Sequence, residues 1–296
     1  MMNQIIAIVG PTGVGKTKLS LILAKYLNAE VISCDSMQFY KGLDIGTAKI
    51  KKSEREGIKH HLIDILSPDE EFSVAKYQEI VRNKITELTN KNIPIVLVGG
   101  SGLYISSVLY DYRFIGNKHS KEIEERYKDY SLQDLANLLK EFSPKVAENT
   151  DLKNRRRVLR ALEKIDSDFD NSGKFLYYKD AKIIALDMNR SLLYKRIDLR
   201  VEDMFLEGLE QEVSNLYKKY PKAQSMQAIG YKELFKYFDG KITLLEAKIE
   251  IKKNSRRYAK RQLTWFRNKM DCVWFQVDPN NFNKTVEEVI RYIKKK

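Results

Sequence analysis

Gly10-Pro11-Thr12-Gly13-Val14-Gly15-Lys16-Thr17 follows the apolar run Ile5-Ile6-Ala7-Ile8-Val9 and precedes Leu19-Ser20-Leu21-Ile22-Leu23-Ala24. The first flank reads as a buried strand and the second carries helical periodicity. The stretch between them is a G-x-x-x-x-G-K-T loop opening a helix. Glycines let successive backbone N–H groups converge on an anion, and the helix N-terminus adds its positive dipole end. Lys16 supplies a full positive charge, and the Thr17 hydroxyl can ligate Mg²⁺. A bland glycine turn with a surface lysine would not explain Lys and Thr together at the helix start. The loop alone leaves open which phosphate it holds.

Two carboxyl-end features are expected beside it. The short strand Glu30-Val31-Ile32-Ser33-Cys34-Asp35 ends in an acid. Ligands of an open parallel sheet bind at the carboxyl ends of its strands, which puts Asp35 on the same edge as the loop. The most apolar strand, Ile93 to Val98, ends in Gly99-Gly100-Ser101-Gly102. An NTPase usually places an acid there to hold the magnesium of its nucleotide. Glycines weaken that reading and leave an edge that something large could approach.

With 296 residues, 43% of them hydrophobic and 31% charged, the chain is long and apolar enough for a sizeable core. No apolar run reaches the roughly 20 residues that span a bilayer, and the N-terminus lacks the flanks of a signal peptide. Two cysteines, Cys34 and Cys272, form no disulfide framework, so a cytoplasmic protein without membrane association is expected. Adjacent His60 and His61 do not make a zinc site. The net charge of +13 is clustered: Arg155, Arg156, Arg157 and Arg160 form one group, and the stretch 248–269 carries nine basic residues against Glu250. Such clusters suit a polyanionic partner.

Further strands are expected at 60–65, 182–186 and 273–277, and helices at 72–88 (Ser73 as cap), 191–206, 209–220 and 285–294. From 113 to 178 strands give way to charged helical sequence at 121–130, 132–141 and 151–165, with an acidic stretch at 166–171. The fold class is therefore α/β, a P-loop-type parallel sheet at 1–112 and 179–296 with a helical insertion at 113–178. The long helix expected at 243–270 separates into an apolar stripe, Ala259, Leu263, Phe266 and Met270, and an outward basic face, Lys253, Arg257, Lys260, Arg261 and Arg267.

Loop, Asp35 and Ser101 on one edge admit two chemistries. A small-molecule kinase would hold ATP in the loop and use Asp35 as base toward an acceptor hydroxyl. A transferase would hold a diphosphate leaving group, with Asp35 taking a proton from the nucleophile. The basic helices favour a nucleic-acid acceptor, which a small-molecule kinase would not need.

Seven ordered blocks carry a resemblance: GPTGVGKT, CDSMQFYKGLDIGTAK, HHLID, VGGSGLY, RRRVLRALEK, SMQAIGYKE and RRYAKRQLTWFR. Together, from about residue 5 to about 275, the chain resembles the bacterial tRNA dimethylallyltransferases, a tRNA isopentenyltransferase family. The resemblance implies prenylation of N6 of adenosine 37, beside the anticodon, with dimethylallyl diphosphate as donor and Mg²⁺ as metal. It implies a channel between core and insertion that receives the flipped-out adenine. Under it, Gly10, Pro11, Thr12, Gly13, Val14, Gly15, Lys16 and Thr17 hold the donor diphosphate, with Thr17 on the metal. Asp35 is the general base. Ser101 and Arg200 act near the diphosphate, with Arg196 the competing arginine. Ser101 stands where the family usually has threonine, which keeps the hydroxyl. The tRNA contacts implied are Asp35, Ser36, Met37, Gln38, Ser101, Arg156, Arg157, Val158, Leu159, Arg160, Gln227, Lys232, Arg257 and Arg261. A monomer is expected, and no residue is carried over between 113 and 148.

Overall fold

Aliphatic and β-branched runs form the strands, and the positions flanking them decide where the chain leaves the sheet. The computed structural model describes residues 4–114, 117–166 and 173–295. In chain order it contains β1 (Ile5–Val9), α1 (Lys16–Leu27), β2 (Glu30–Ser33), β3 (His60–His61), α2 (Val74–Asn90), β4 (Ile95–Val98) and α3 (Gly102–Leu109). Then come α4 (Asn117–Arg126), α5 (Leu132–Phe142), α6 (Pro144–Glu148) and α7 (Arg155–Asp166). The remainder is β5 (Lys182–Asp187), α8 (Arg190–Leu206), α9 (Leu209–Lys219), α10 (Tyr231–Phe238), α11 (Leu244–Lys269), β6 (Val273–Gln276) and α12 (Phe282–Lys294).

The strands form one six-stranded sheet in the order β3-β2-β4-β1-β5-β6, every pair parallel. Central β1 is buried throughout, as a strand covered on both faces must be. Its register sets Ile5 opposite Ile95 and Ile8 opposite Val98. The turns after β1 and β4 therefore lie side by side at the carboxyl edge. The core beneath them joins Ile6, Ile8 and Val14 to Leu19 and Leu23 of α1, Leu193 and Ile197 of α8, and Phe282 and Val289 of α12. A second cluster ties Tyr40 and Leu43 to α8, α9, α10 and α11.

The chain divides into two compact units, Met1–Leu109 with Leu176–Lys296, and Tyr110–Phe175. The boundaries lie slightly ahead of the 113 and 178 read from the change in sequence texture. Within the second unit, α4, α5, α6 and α7 enclose their own apolar core, including Ile123, Leu135, Leu139, Val158 and Leu162. Beyond residue 166 the acidic stretch 166–171 lies outside the described residues.

Three departures from the sequence reading have local causes. The strand expected over 60–65 stops after two residues, because Leu62 and Asp64 adopt left-handed φ values of 61° and 58°. That turn brings the Asp64 carboxylate 2.6 Å from Lys49 Nζ. The helix α3 went unread among its glycines and serines. Its buried hydroxyls are satisfied internally: Ser107 Oγ donates to Tyr104 O at 2.6 Å, and Ser106 Oγ accepts from Trp265 Nε1 at 3.1 Å. Finally, the stretch after β4 is no open edge. A Cβ on Gly99 would lie 2.3 Å from Cys34 O, and one on Gly100 2.2 Å from Gln262 Nε2. The glycines admit the protein's own neighbours at van der Waals distance, and a side-chain acid has no room there.

Candidate active site

The loop 10–17 turns out of β1 through glycines that hold positive φ, 83° at Gly13 and 108° at Gly15, where side chains are rarely accommodated. Gly15 precedes Lys16, the first residue of α1, so the helix amides open toward the carboxyl edge. Lys16 Nζ donates to the Pro11 carbonyl at 2.8 Å, folding the ammonium back over its own loop. Val14 is fully buried in the core and its amide donates to the Pro11 carbonyl at 3.4 Å, so it pins the loop to the core.

Beside this loop lies a cavity of about 380 Å³. Thr12, Lys16 and Thr17 form one wall and Asp35, Ser36, Met37 and Gln38 another. Gly99 and Gly100 form the floor at the end of β4, and Arg200 closes the side next to Thr12. Gln227 and Lys232 from the α10 approach, and Tyr258, Arg261 and Gln262 from α11, complete it. Sequence-predicted residues from five stretches of the chain thus meet in one place.

Asp35 leaves β2 in a tight turn whose carboxylate Oδ1 accepts from Met37 N at 3.0 Å. Burial pushes its carboxyl above the usual carboxylate range, opposed by the Met37 amide and the Lys16 ammonium. Burial and the neighbouring Arg200 push Lys16 down to about 7, with Asp35 pulling the other way. Both groups are therefore poised to change protonation when an anion or a base enters.

The two candidate arginines separate. Arg200 lines the cavity and its Nη1 lies 3.4 Å from Thr12 Oγ1. Arg196 instead donates through Nε to Gly13 O at 3.0 Å and lines only a second cavity of about 450 Å³, which Arg200 also borders. Arg200 is the one that shares a space with Lys16 and Asp35.

Ser101 stands differently from expectation. It is buried behind the cavity wall, and its hydroxyl accepts from Ser36 N at 3.1 Å and lies 3.2 Å from Ser36 Oγ. It fixes the turn that carries Asp35. Gln38 is also held, its Oε1 accepting from Ser33 Oγ at 3.1 Å and its Nε2 donating to Thr47 O at 3.3 Å.

On α11, Lys253, Arg257, Lys260, Arg261 and Arg267 are exposed, Ala259 and Phe266 buried and Leu263 half-buried, with Met270 buried at the C-cap. Arg267 is not free for a ligand, since its Nη2 donates to Asp187 Oδ2 at 2.7 Å. In the second unit, the basic stretch of α7 divides by face. Arg156 is exposed, without a hydrogen-bond or ion-pair partner among the described residues. Arg157 is exposed and pairs with Asp151 at 3.1 Å, and Arg160 pairs with buried Glu163. Val158 requires a correction. Its side chain is fully buried in the unit's core, one turn from Leu162, and offers no contact surface. Leu159 packs against the same core.

Three residues that sequence reasoning passed over organise the walls. Glu212 receives Asp44 N and Ile45 N on Oε2 at 3.0 and 2.8 Å. Its Oε1 receives Gly46 N at 3.1 Å and the Tyr231 hydroxyl at 2.6 Å. Three successive amides make a nest for one carboxylate. Glu233, wholly buried, accepts from Gly230 N at 2.8 Å and Asn254 Nδ2 at 2.7 Å, anchoring the 226–232 turn. Gln262 lies between the two strand-end turns. Glu212 and Gln262 are ordinary helix residues without a local signal, whereas Glu233 stands three residues after Gly230 as the acid of a capping box.

The donor set bears on a metal. Among the described residues no three His, Cys, Asp or Glu side chains gather to hold one. Thr17, exposed at the head of α1, and Asp35 line the cavity. Mg²⁺ keeps waters and is usually held by one or two carboxylates plus substrate phosphates, so these residues fit an ion that arrives with a diphosphate.

Known proteins resemble the chain over nearly its whole length. The IPP transferase family model matches residues 38–269. A tRNA dimethylallyltransferase of Bacillus cytotoxicus is 48% identical over 306 residues, covering 99% of this chain and 96% of the relative. One from Bacillus pumilus is 49% identical over 303 residues, covering 98% and 95%. A crystal structure of a tRNA isopentenylpyrophosphate transferase from Staphylococcus epidermidis superposes with a TM-score of 0.75 at 40% identity, covering 98% of each chain. A eukaryotic dimethylallyltransferase solved acting on tRNA gives 0.86 at 28% identity, covering 97% of this chain and 77% of that one.

Proposed function

The chain belongs to the IPP transferase family, and from that premise we propose that it transfers a dimethylallyl group from dimethylallyl diphosphate to N6 of adenosine 37 of tRNA, releasing diphosphate. The observation that carries the reading is the convergence of Lys16, Arg200 and Asp35 on one cavity whose floor is Gly99-Gly100 in place of an acid. This arrangement suits a departing diphosphate and a proton acceptor. Family membership removes the small-molecule kinase alternative.

An exocyclic amine is a weak nucleophile because its lone pair delocalises into the ring. As the N6 lone pair forms a bond to C1 of the donor, the C1–O bond breaks and its electrons leave with diphosphate. The proton lost from N6 passes to the Asp35 carboxylate. The raised pKa of Asp35 makes its carboxylate a better proton acceptor than that of an exposed aspartate. The developing charge on diphosphate is met by Lys16, Arg200 and the amides of the loop, each such donor being worth about 2.7–4 kcal/mol when preorganised. Mg²⁺, when bound beside Thr17, would add charge neutralisation on the same leaving group.

The adenine would be flipped from an anticodon loop, which is already single stranded, so extrusion costs little. Ser36, Met37 and Gln38 would touch it, and Gln227 and Lys232 its neighbours. Phosphate contacts from Arg156, Arg157, Arg257 and Arg261 would set register without reading sequence. No described helix is long and apolar enough to cross a membrane, and we place the enzyme in the cytoplasm as a monomer.

The test is direct. Carbon-labelled dimethylallyl diphosphate, unmodified tRNA and Mg²⁺ are incubated with the chain, and the labelled nucleoside is mapped. Label on N6 of adenosine 37 is expected. Label elsewhere, or none with tRNA retained, would contradict the reading.

A further inference from the structure

Helix α11 carries the exposed basic face, yet its opposite side grips the donor site. Gln262 is 4% exposed and sits one residue from exposed Arg261. Its Oε1 accepts from Thr12 N at 2.9 Å and its Nε2 donates to Gly100 O at 2.9 Å. Thr12 belongs to the turn after β1 and Gly100 to the turn after β4, and these strands are neighbours in register. One amide from a helix 250 residues along the chain from Thr12 therefore staples the two turns that bound the cavity.

We propose that Gln262 is a positioning residue for the diphosphate site, holding the phosphate loop in its binding geometry through Thr12 and Gly100. The inference rests on the reading of the cavity as a diphosphate site. The chemistry of the contact selects the residue type. A backbone donor faces one end of the side chain and a backbone acceptor the other, so the group between must both accept and donate across a short, planar span. Glutamine does this; a carboxylate loses the donor, an aliphatic chain loses both, and asparagine is one methylene short. Space is reserved for it, since any side chain at position 100 would place Cβ 2.2 Å from its Nε2.

The staple is braced on either side. Tyr258, one turn earlier, lines the same cavity beside Gln262. Trp265 donates to Ser106 and packs on Gly102, where a Cβ would lie 2.3 Å from its Cδ1. Thr12 in turn lies beside Arg200, its hydroxyl 3.4 Å from Nη1. A shift of Thr12 therefore disturbs both the loop that presents Lys16 and the arginine opposite. Arg257, on the exposed face, does not line this cavity, whereas Arg261 does and lies over the Tyr258 ring, 5.6 Å from its centroid.

Two affinities of the full chain separate positioning from general damage. Inorganic diphosphate with Mg²⁺ is titrated calorimetrically, and unmodified tRNA is measured by filter binding. For Gln262→Met, similar in length but unable to hydrogen-bond, diphosphate affinity is expected to fall fivefold or more while tRNA affinity stays within twofold. A smaller loss for diphosphate overturns the proposal, and so does an equal loss for both ligands. If Gln262→Met fails to fold, Gln262→Asn, neutral and one methylene too short to span both partners, is read against the same thresholds. Neither measurement needs prenyl transfer, so failure of the proposed reaction is seen separately in the labelling assay. An unaltered chain that binds no diphosphate would overturn both.

Discussion

Asp35→Asn changes one property of the site and spares the others. Asparagine has the same shape, and its Oδ1 can keep the bond from Met37 N that now measures 3.0 Å. What disappears is a proton acceptor and a negative charge. Loss of a general base costs about 10²–10⁴-fold in rate, or about 3–5 kcal/mol. The missing charge has a second effect, because Asp35 is what raises the pKa of Lys16 against burial and Arg200. Without it Lys16 falls below about 7 and binds a diphosphate less well at neutral pH. The two effects separate at saturating donor, where bound diphosphate holds the lysine charged and only proton transfer is lost. Single-turnover formation of prenylated tRNA, measured there, should fall by at least a hundredfold with tRNA affinity within twofold. An Asp35→Asn enzyme within tenfold of the unaltered chain would refute the assignment of Asp35 as base.

Other expectations follow from the same geometry. Because free Lys16 titrates near about 7, kcat/KM for the donor should fall as pH rises above that value, whereas kcat should hold because bound diphosphate keeps the ammonium charged; a kcat/KM profile flat to pH 9 would contradict this. The raised pKa of Asp35 moves the acid limb upward, so activity should be lost above the pH at which an exposed aspartate would protonate. Glu212→Ala strands three amides and the Tyr231 hydroxyl; with partial rehydration the cost in thermal or urea unfolding should be about 2–4 kcal/mol, and a change under 1 kcal/mol would remove its anchoring role. On α7, Arg156→Ala should lower the slope of log affinity against log salt for tRNA by about 0.7 without loss of stability, while Val158→Asp should unfold the helical unit by burying an unpaired charge. Equal behaviour of the two variants would contradict the division of that helix into faces.

Legibility followed the range of the interaction. The loop 10–17 could be read because its chemistry is contained in eight consecutive residues between a strand and a helix. Asp35 could be placed because strand ends of a parallel sheet share an edge, and the absence of an acid after β4 was visible as two glycines. Why glycine stands there was not visible. The reason is Cys34 on one side and Gln262 on the other, the latter more than 160 residues away. Glu212 was missed for the same reason, as its partners are backbone amides and a tyrosine on other elements, whereas Glu233 also caps its own helix through Gly230 N. Val158 was misread because a block match treats a helix as a continuous strip, whereas its 3.6-residue period turns every fourth side chain inward. The short β3 was overread because left-handed φ at Leu62 and Asp64 leaves no mark on an apolar, strand-like pattern.

The phosphate loop can be tested for what it holds by following both halves of the donor at once. Dimethylallyl diphosphate labelled with carbon in the prenyl group and with phosphorus in the diphosphate is given to the chain with unmodified tRNA and Mg²⁺, ATP being present unlabelled. The carbon label should appear in tRNA and the phosphorus label in free diphosphate, in equal amounts, with ATP unconsumed. Phosphorus transferred to the tRNA, or ATP hydrolysed in step with it, would mean that the loop serves phosphoryl transfer and that the bond broken is not the one between carbon and oxygen.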